Sequence, residues 1–303
     1  MEIMNTRLPK KQIYQFCDLI GISKKCDWFI HLNRILKKTD IPSTIFLSNY
    51  QGRITIPFFY HKVLPLINNK IILIIASEDY TFPTGKGDTR ANFYESNQEL
   101  IFNLINHPKI KRIWVENLDI LHPKLSPLPL GILKYNYYHY LKDLIDYKKI
   151  NFNNRKNNVL CCHRIHQGEQ FNKRKMVSHL CLNNWSKYVT YYSYLSYPNI
   201  LNEMKQSRFV LCVNGGGIDP SPKCWEAILC GAIPIIEHST LDEAYSQLPV
   251  IFIDRWSKDT LTSDKLNKWF EEIRKYYENE DLRKQVLDKL SLEYWWNQIV
   301  REK

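Results

Sequence analysis

The feature that most constrains this chain is an alternation in its second half. Apolar, β-branched runs at 158–162, 187–191, 209–213, 232–236 and 250–253 are separated by helix-period segments at 170–181, 199–206, 223–230 and 241–246. Strands that are apolar throughout need cover on both faces, and the intervening helices supply it. The pattern predicts a doubly wound, parallel α/β sheet. Helices from 263 to 301 complete the chain, and the cluster Tyr294-Trp295-Trp296 should pack the last of them onto a domain surface.

The first half follows the same grammar. Runs at 43–47, 70–76 and 111–115 read as strands, and 97–106 and 135–148 as helices. In 26–38, Trp28, Phe29, Leu32, Ile35 and Leu36 fall at helical spacing, which predicts a helix. Segment 151–158 reads NFNNRKNN, with five asparagines in eight residues, a composition that favours turns and offers little to bury. It divides the chain into an N-terminal domain, 1–150, and a C-terminal domain with trailing helices, 151–303.

Composition excludes several classes. The best uninterrupted apolar run of the chain, Ile71–Ala76, is far below the roughly 18 residues of a membrane helix. The polar segment 1–11 has no apolar signal core, so a cytoplasmic chain is expected. None of the eight cysteines is spaced as C-x-x-C, which argues against a zinc ribbon and for buried free thiols. The net charge of +11 is dispersed and favours anionic partners.

Open α/β sheets bind ligands beyond the carboxyl ends of their strands. The run 209–213 is followed by Asn214-Gly215-Gly216-Gly217-Ile218-Asp219-Pro220-Ser221-Pro222-Lys223-Cys224-Trp225-Glu226. Glycines let backbone approach a ligand and expose N–H groups to an anion, although a plain βα turn would use them equally well. Asp219 or Ser221 can cap the next helix, with Pro222 in its first turn. Lys223 and Glu226, three apart, project from one side of that turn, a cation for a phosphate and a carboxylate for a ribose diol. The dinucleotide fingerprint lacks its third glycine here. Near Thr84-Gly85-Lys86-Gly87, Tyr80 and Gly87 break the Walker pattern.

The segments 207–219 (SRFVLCVNGGGID) and 225–236 (WEAILCGAIPII) closely resemble the donor-site region of exostosin-like glycosyltransferases, and the likeness continues through Leu248–Trp256. Upstream, Leu128-Pro129-Leu130-Gly131 resembles the family's L-P-[IL]-G segment, and Ser77-Glu78-Asp79-Tyr80 an acidic loop after an N-domain strand. The resemblance implies a GT-B-like fold, two Rossmann-like domains facing a cleft. It implies an inverting transfer from a nucleoside-diphosphate sugar, UDP with xylose as first choice, to a saccharide or glycoconjugate acceptor. Glu226 would bind the ribose. Lys223 stands where many relatives carry arginine, which loses the bidentate fork. Arg174 and Arg164 would lie near the diphosphate, and Asn214, Gly215, Gly216, Gly217, Ile218 and Asp219 would complete the donor site.

No Asp-x-Asp triplet is present, so no metal or cofactor is expected, and basic groups would offset the leaving diphosphate. Inversion needs one general base. Asp79 is the candidate, with Glu78 and Asp88 behind it and His163 and His166 as weaker choices. The alternatives are a nucleic-acid-binding protein, against which the chain shows no concentrated basic stripe, and a sugar-binding relative without activity.

Overall fold

A computed structural model describes residues 17–85, 89–132, 140–141, 144 and 150–301. Candidate base Asp88 and most of the expected helix 135–148 lie outside them. The described chain forms two mostly parallel sheets with helices, the two Rossmann-like halves that were expected.

The first half begins with α1 (Leu19–Lys25), capped by the Asp18 carboxylate on the Gly21 amide. Strands β1 (Trp28–His31), β2 (Arg34–Lys37), β3 (Thr44–Ser48), β4 (Ile71–Ala76), β5 (Ile110–Val115) and β6 (Leu125–Pro127) follow. Helices α2 (Gly52–Phe58), α3 (Asn92–Ser96) and α4 (Gln98–Asn106) lie between them. The sheet order is β2-β1-β3-β4-β5-β6, parallel except for the β1–β2 hairpin. Every residue of β3 and β4 is buried, as continuous apolar runs require.

The hairpin corrects one expectation, because 26–38 is not a helix. The chain reverses over Leu32 and Asn33, with Leu32 at φ 55 and its amide held by the Thr55 hydroxyl at 3.0 Å. β1 pairs on its other edge with β3, and Trp28 and Ile30 alternate inward at period two. Sheet pairing wins over the helical spacing, and Leu36 is left 61% exposed.

The second half contains β7 (Asn157–Cys162), β8 (Val189–Tyr192), β9 (Ser207–Leu211), β10 (Ile233–Glu237) and β11 (Ile251–Ile253). The crossovers carry α5 (Asn172–Leu182), α6 (Tyr197–Gln206), α7 (Lys223–Leu229) and α8 (Asp242–Tyr245). These are the nine expected elements, displaced by a few residues at their ends. The order β11-β10-β9-β7-β8 reverses direction between β7 and β9. That reversal is a topological switch point, where loops diverge and leave a crevice. The faces of the sheet serve two cores. Leu160, Val210 and Ile236 join a core shared with the first half, while Val159, Leu211 and Ile235 turn to a second core.

The chain ends in α9 (Ser263–Ile273), α10 (Lys275–Glu278), α11 (Glu280–Lys289) and α12 (Leu292–Val300). The last of these returns to the first half. The Leu290 carbonyl accepts from the Cys17 amide at 2.8 Å, Glu293 pairs with Lys25 at 2.7 Å, and Trp295 is 2% exposed. The aromatic cluster thus packs onto a domain surface, as expected. No helix among the described residues is long and apolar enough to cross a membrane.

Candidate functional site

The loops at the β7/β9 switch point and those after β4 and β5 meet across a cleft. Two adjoining cavities occupy it, of about 460 and 390 Å³, sharing His166, Arg174, Lys223 and Glu226 as walls. The larger also has Arg164, Tyr194 and Tyr197 in its lining; the smaller has Asp79, Asn117 and the three glycines.

Glu226 and Lys223 project from α7 as their spacing predicts. Glu226 is buried, and its Oε1 accepts from the Tyr197 hydroxyl at 2.9 Å. Desolvation pulls the half-buried Lys223 ammonium below its ordinary range, and the Arg174 guanidinium pushes the same way. Arg174, near the start of α5, is fixed by the carbonyls of Asn214 (3.1 Å) and Arg164 (3.0 Å), and burial likewise lowers its pKa. Two cations confined together resist deprotonation poorly, and an anion between them would relieve both. The buried His163 donates to or accepts from Ser178 Oγ at 2.9 Å. Burial, then Lys223 and Arg174, hold its pKa down to about 3, so the ring is neutral. Arg164 lies over the Tyr194 ring at 4.5 Å, making one flat wall of the larger cavity.

The glycine turn has a physical cause that sequence did not reveal. None of Gly215, Gly216 and Gly217 adopts positive φ; what excludes a side chain is proximity. A Cβ would stand 2.6 Å from Arg174 Nη2 at Gly215, 2.4 Å from Asp79 Oδ2 at Gly216, and 2.3 Å from Asn117 Oδ1 at Gly217. The turn is one of the places where the two halves touch. Arg90 reaches across to the Gly216 carbonyl. Asn117 Oδ1 accepts the amides of Ile218 (2.8 Å) and Asp219 (3.1 Å).

Most of the sequence candidates converge. Asp79, Arg174, Gly215, Gly216, Gly217, Asp219, Lys223 and Glu226 line the smaller cavity, and Arg164 the larger. Asn214 and Ile218 border a different cavity of about 290 Å³ behind the turn. Asp219 is engaged as a brace. Its carboxylate accepts the Leu130 amide at 3.1 Å, the Ser221 amide at 2.8 Å and the Tyr245 hydroxyl at 2.5 Å. Burial raises its pKa to about 6. Ser221, held by it, is a non-glycine residue at φ 74 immediately before α7. Glu78 is half-buried with its pKa raised, chiefly by burial.

Sequence reasoning missed Asn117 and Tyr197. Asn117 sits just beyond the carboxyl end of β5, where the strand-end rule could have found it. Tyr197 opens α6, and nothing in its local pattern points at Glu226.

No protein-family model and no curated protein matches the chain. Among solved structures it is similar to the glycotransferase of kitacinnamycin (12% identity over 87% of this chain and 77% of that one, TM-score 0.40). It is similar to TarM (11%, 85% and 54%, TM-score 0.43) and to the spinosyn forosaminyltransferase SpnP (9%, 85% and 75%, TM-score 0.37). The chain spans about half the length of TarM.

Proposed function

We propose that the chain is an inverting, metal-independent glycosyltransferase that moves a sugar, xylose as first choice, from a UDP donor to a saccharide hydroxyl. One arrangement carries this reading: the buried Glu226 beside the confined cations Lys223 and Arg174, at a sheet switch point and facing Asp79 across the cleft. Glu226, oriented by Tyr197, would accept from the ribose hydroxyls. The nucleoside would lie in the larger cavity against the Arg164–Tyr194 wall. Lys223 and Arg174 would face the diphosphate.

In the reaction, the acceptor oxygen bonds to the anomeric carbon as its proton passes to Asp79. The bond from that carbon to the diphosphate oxygen breaks, and its electron pair leaves with the diphosphate. The two cations stabilise that charge as it develops, in a partly desolvated site where the effect is strong. Neutral His163 adds no charge.

Thermal shift against UDP, UDP-xylose, UDP-glucose, GDP-mannose and a mixed oligonucleotide tests this, with and without EDTA. A UDP sugar should raise Tm, EDTA should not change the rise, and Glu226→Ala should remove it. Stabilisation by the oligonucleotide alone would establish the nucleic-acid alternative instead.

A further inference from the structure

Asp79 sits two residues beyond a backbone anomaly. Ser77, the first residue after β4, is at φ 87, a region that side-chain-bearing residues rarely occupy. Such a residue persists only where its surroundings hold it. Here the holder is Glu116, the first residue after the neighbouring strand β5 and only 3% exposed. Its Oε2 accepts the Ser77 amide at 2.8 Å, and the Glu78 amide also donates to the carboxyl group. The next residue, Asn117, binds the Glu78 carbonyl through Nδ2 at 3.1 Å while its Oδ1 holds the glycine turn of the other half.

We propose that Glu116 is a positioning residue, whose carboxyl group holds Ser77 in its left-handed conformation and thereby sets the Asp79 carboxylate against Gly216 at the mouth of the donor cavity. Among the described residues, the Glu116 carboxyl group is the partner of the Ser77 amide. A buried carboxyl group is a costly way to satisfy two amides, and an apolar residue beneath a relaxed turn would be simpler. The observed arrangement is accounted for if the turn geometry itself is what matters. The fixed loop leaves Asp79 exposed to the cleft while its backbone carbonyl abuts Gly217, so a small rotation at Ser77 would carry the carboxylate away from the donor. The proposal rests on Asp79 acting as the base, and its test separates the two.

Burial, with Asp219 and Asp79 nearby, pushes the Glu116 carboxyl well above its ordinary range, so a neutral amide is a close mimic. Glu116→Gln keeps an acceptor oxygen and should retain turnover within about threefold. Glu116→Ala should lower kcat on the order of 100-fold with donor KM within about twofold, the usual penalty of an ångström-scale misplacement. The decisive variant is Ser77→Gly in the Glu116→Ala background. Glycine adopts φ 87 without strain, so the double variant should recover at least about tenfold of the lost kcat. A residue that merely fills space would not be rescued this way.

Turnover is read as UDP released from UDP-xylose, and crystal structures of the Glu116→Ala chain with and without Ser77→Gly read φ of residue 77 directly. Residue 77 should leave the left-handed region in the single variant and return in the double one. Retention of φ near 87 in Glu116→Ala, or loss of kcat that Ser77→Gly does not restore, overturns the proposal. Full turnover in Asp79→Asn would remove the base assignment, leaving the backbone result to decide Glu116.

Discussion

At the scale of single residues, the cleft is organised by what is missing from Gly216 and Gly217. Their added methyl groups would meet different things, and the consequences should differ. At Gly216 the obstacle is the end of the Asp79 side chain, which can swing aside. Gly216→Ala should therefore leave Tm nearly unchanged while cutting turnover tenfold or more, on the order of the penalty for a misplaced catalytic group. At Gly217 the methyl would meet Asn117 Oδ1 at 2.3 Å and the Asp79 backbone carbonyl at 2.7 Å. Backbone cannot swing, so Gly217→Ala should destabilise by about 1–3 kcal/mol, as overpacking does. Differential scanning calorimetry beside a UDP-release assay separates these outcomes, and equal Tm values for the two variants would contradict the contact geometry. The sequence disclosed that three glycines follow β9 and that Lys223 and Glu226 share a side. It did not disclose why the glycines are there, because the groups they accommodate, Asp79 and Asn117, lie about a hundred residues or more away in the chain.

At the scale of elements, α7 is the part on which the donor reading depends, and its far end is secured by arginines. Arg283, fully buried, donates to the carbonyls of Ile228 at 2.7 Å and Leu229 at 3.1 Å. Arg155 donates to those of Cys230 at 3.0 Å and Gly231 at 3.1 Å, and its other nitrogen spans Met204 and Ser207. Carbonyls at a helix C-terminus have no partner within the helix, and cations there also complement the dipole. Arg283→Met should cost about 3 kcal/mol in urea unfolding, since it leaves buried carbonyls unsatisfied. A loss below about 1 kcal/mol would show the clamp to be dispensable. Neither arginine could be singled out in sequence, because each acts on a helix far from it along the chain. The strands of the second half were legible because each carries a short apolar or β-branched run set between helix-period segments. The β1–β2 hairpin was not, since Trp28, Phe29, Leu32, Ile35 and Leu36 fit a helix as well as they fit two short strands. Only pairing with β3 decides between them, and pairing is invisible to local pattern.

At the scale of the whole molecule, two buried groups at the cleft titrate in opposite senses. His163, with a pKa near 3 against an ordinary 6.5, takes up its proton in the unfolded chain first as pH falls, so folding loses stability from about pH 6.5 downward. Asp219, near 6 against an ordinary 3.8, takes up its proton in the folded chain first, so folding gains stability from about pH 6 down to about 4. Each slope approaches about 1.4 kcal/mol per pH unit, and between pH 6 and 4 they oppose. The raised Glu116 carboxyl adds to the Asp219 slope, so the comparison is with the parent chain: as pH falls through this window, His163→Gln should gain stability relative to it and Asp219→Asn should lose stability relative to it. Urea midpoints at pH 4.5, 5.5 and 6.5 measure both, and parallel curves for the two variants would mean that neither group titrates as its surroundings imply.

The return of α12 to the first half has a consequence for how the chain is made. The first sheet is complete, strand by strand, once residue 127 has emerged from the ribosome. Yet part of what it packs against, Leu292, Trp295 and Ile299, is translated about 170 residues later and joins the same core. Until those residues are made, the surface around Trp114 and Pro127 therefore waits uncovered. At roughly 5–20 residues per second, that wait lasts from several seconds to half a minute. The nascent first half is then a client for any chaperone that recognises apolar surface. A ribosome that stalls late releases a chain whose earliest-made half is the one left unfinished.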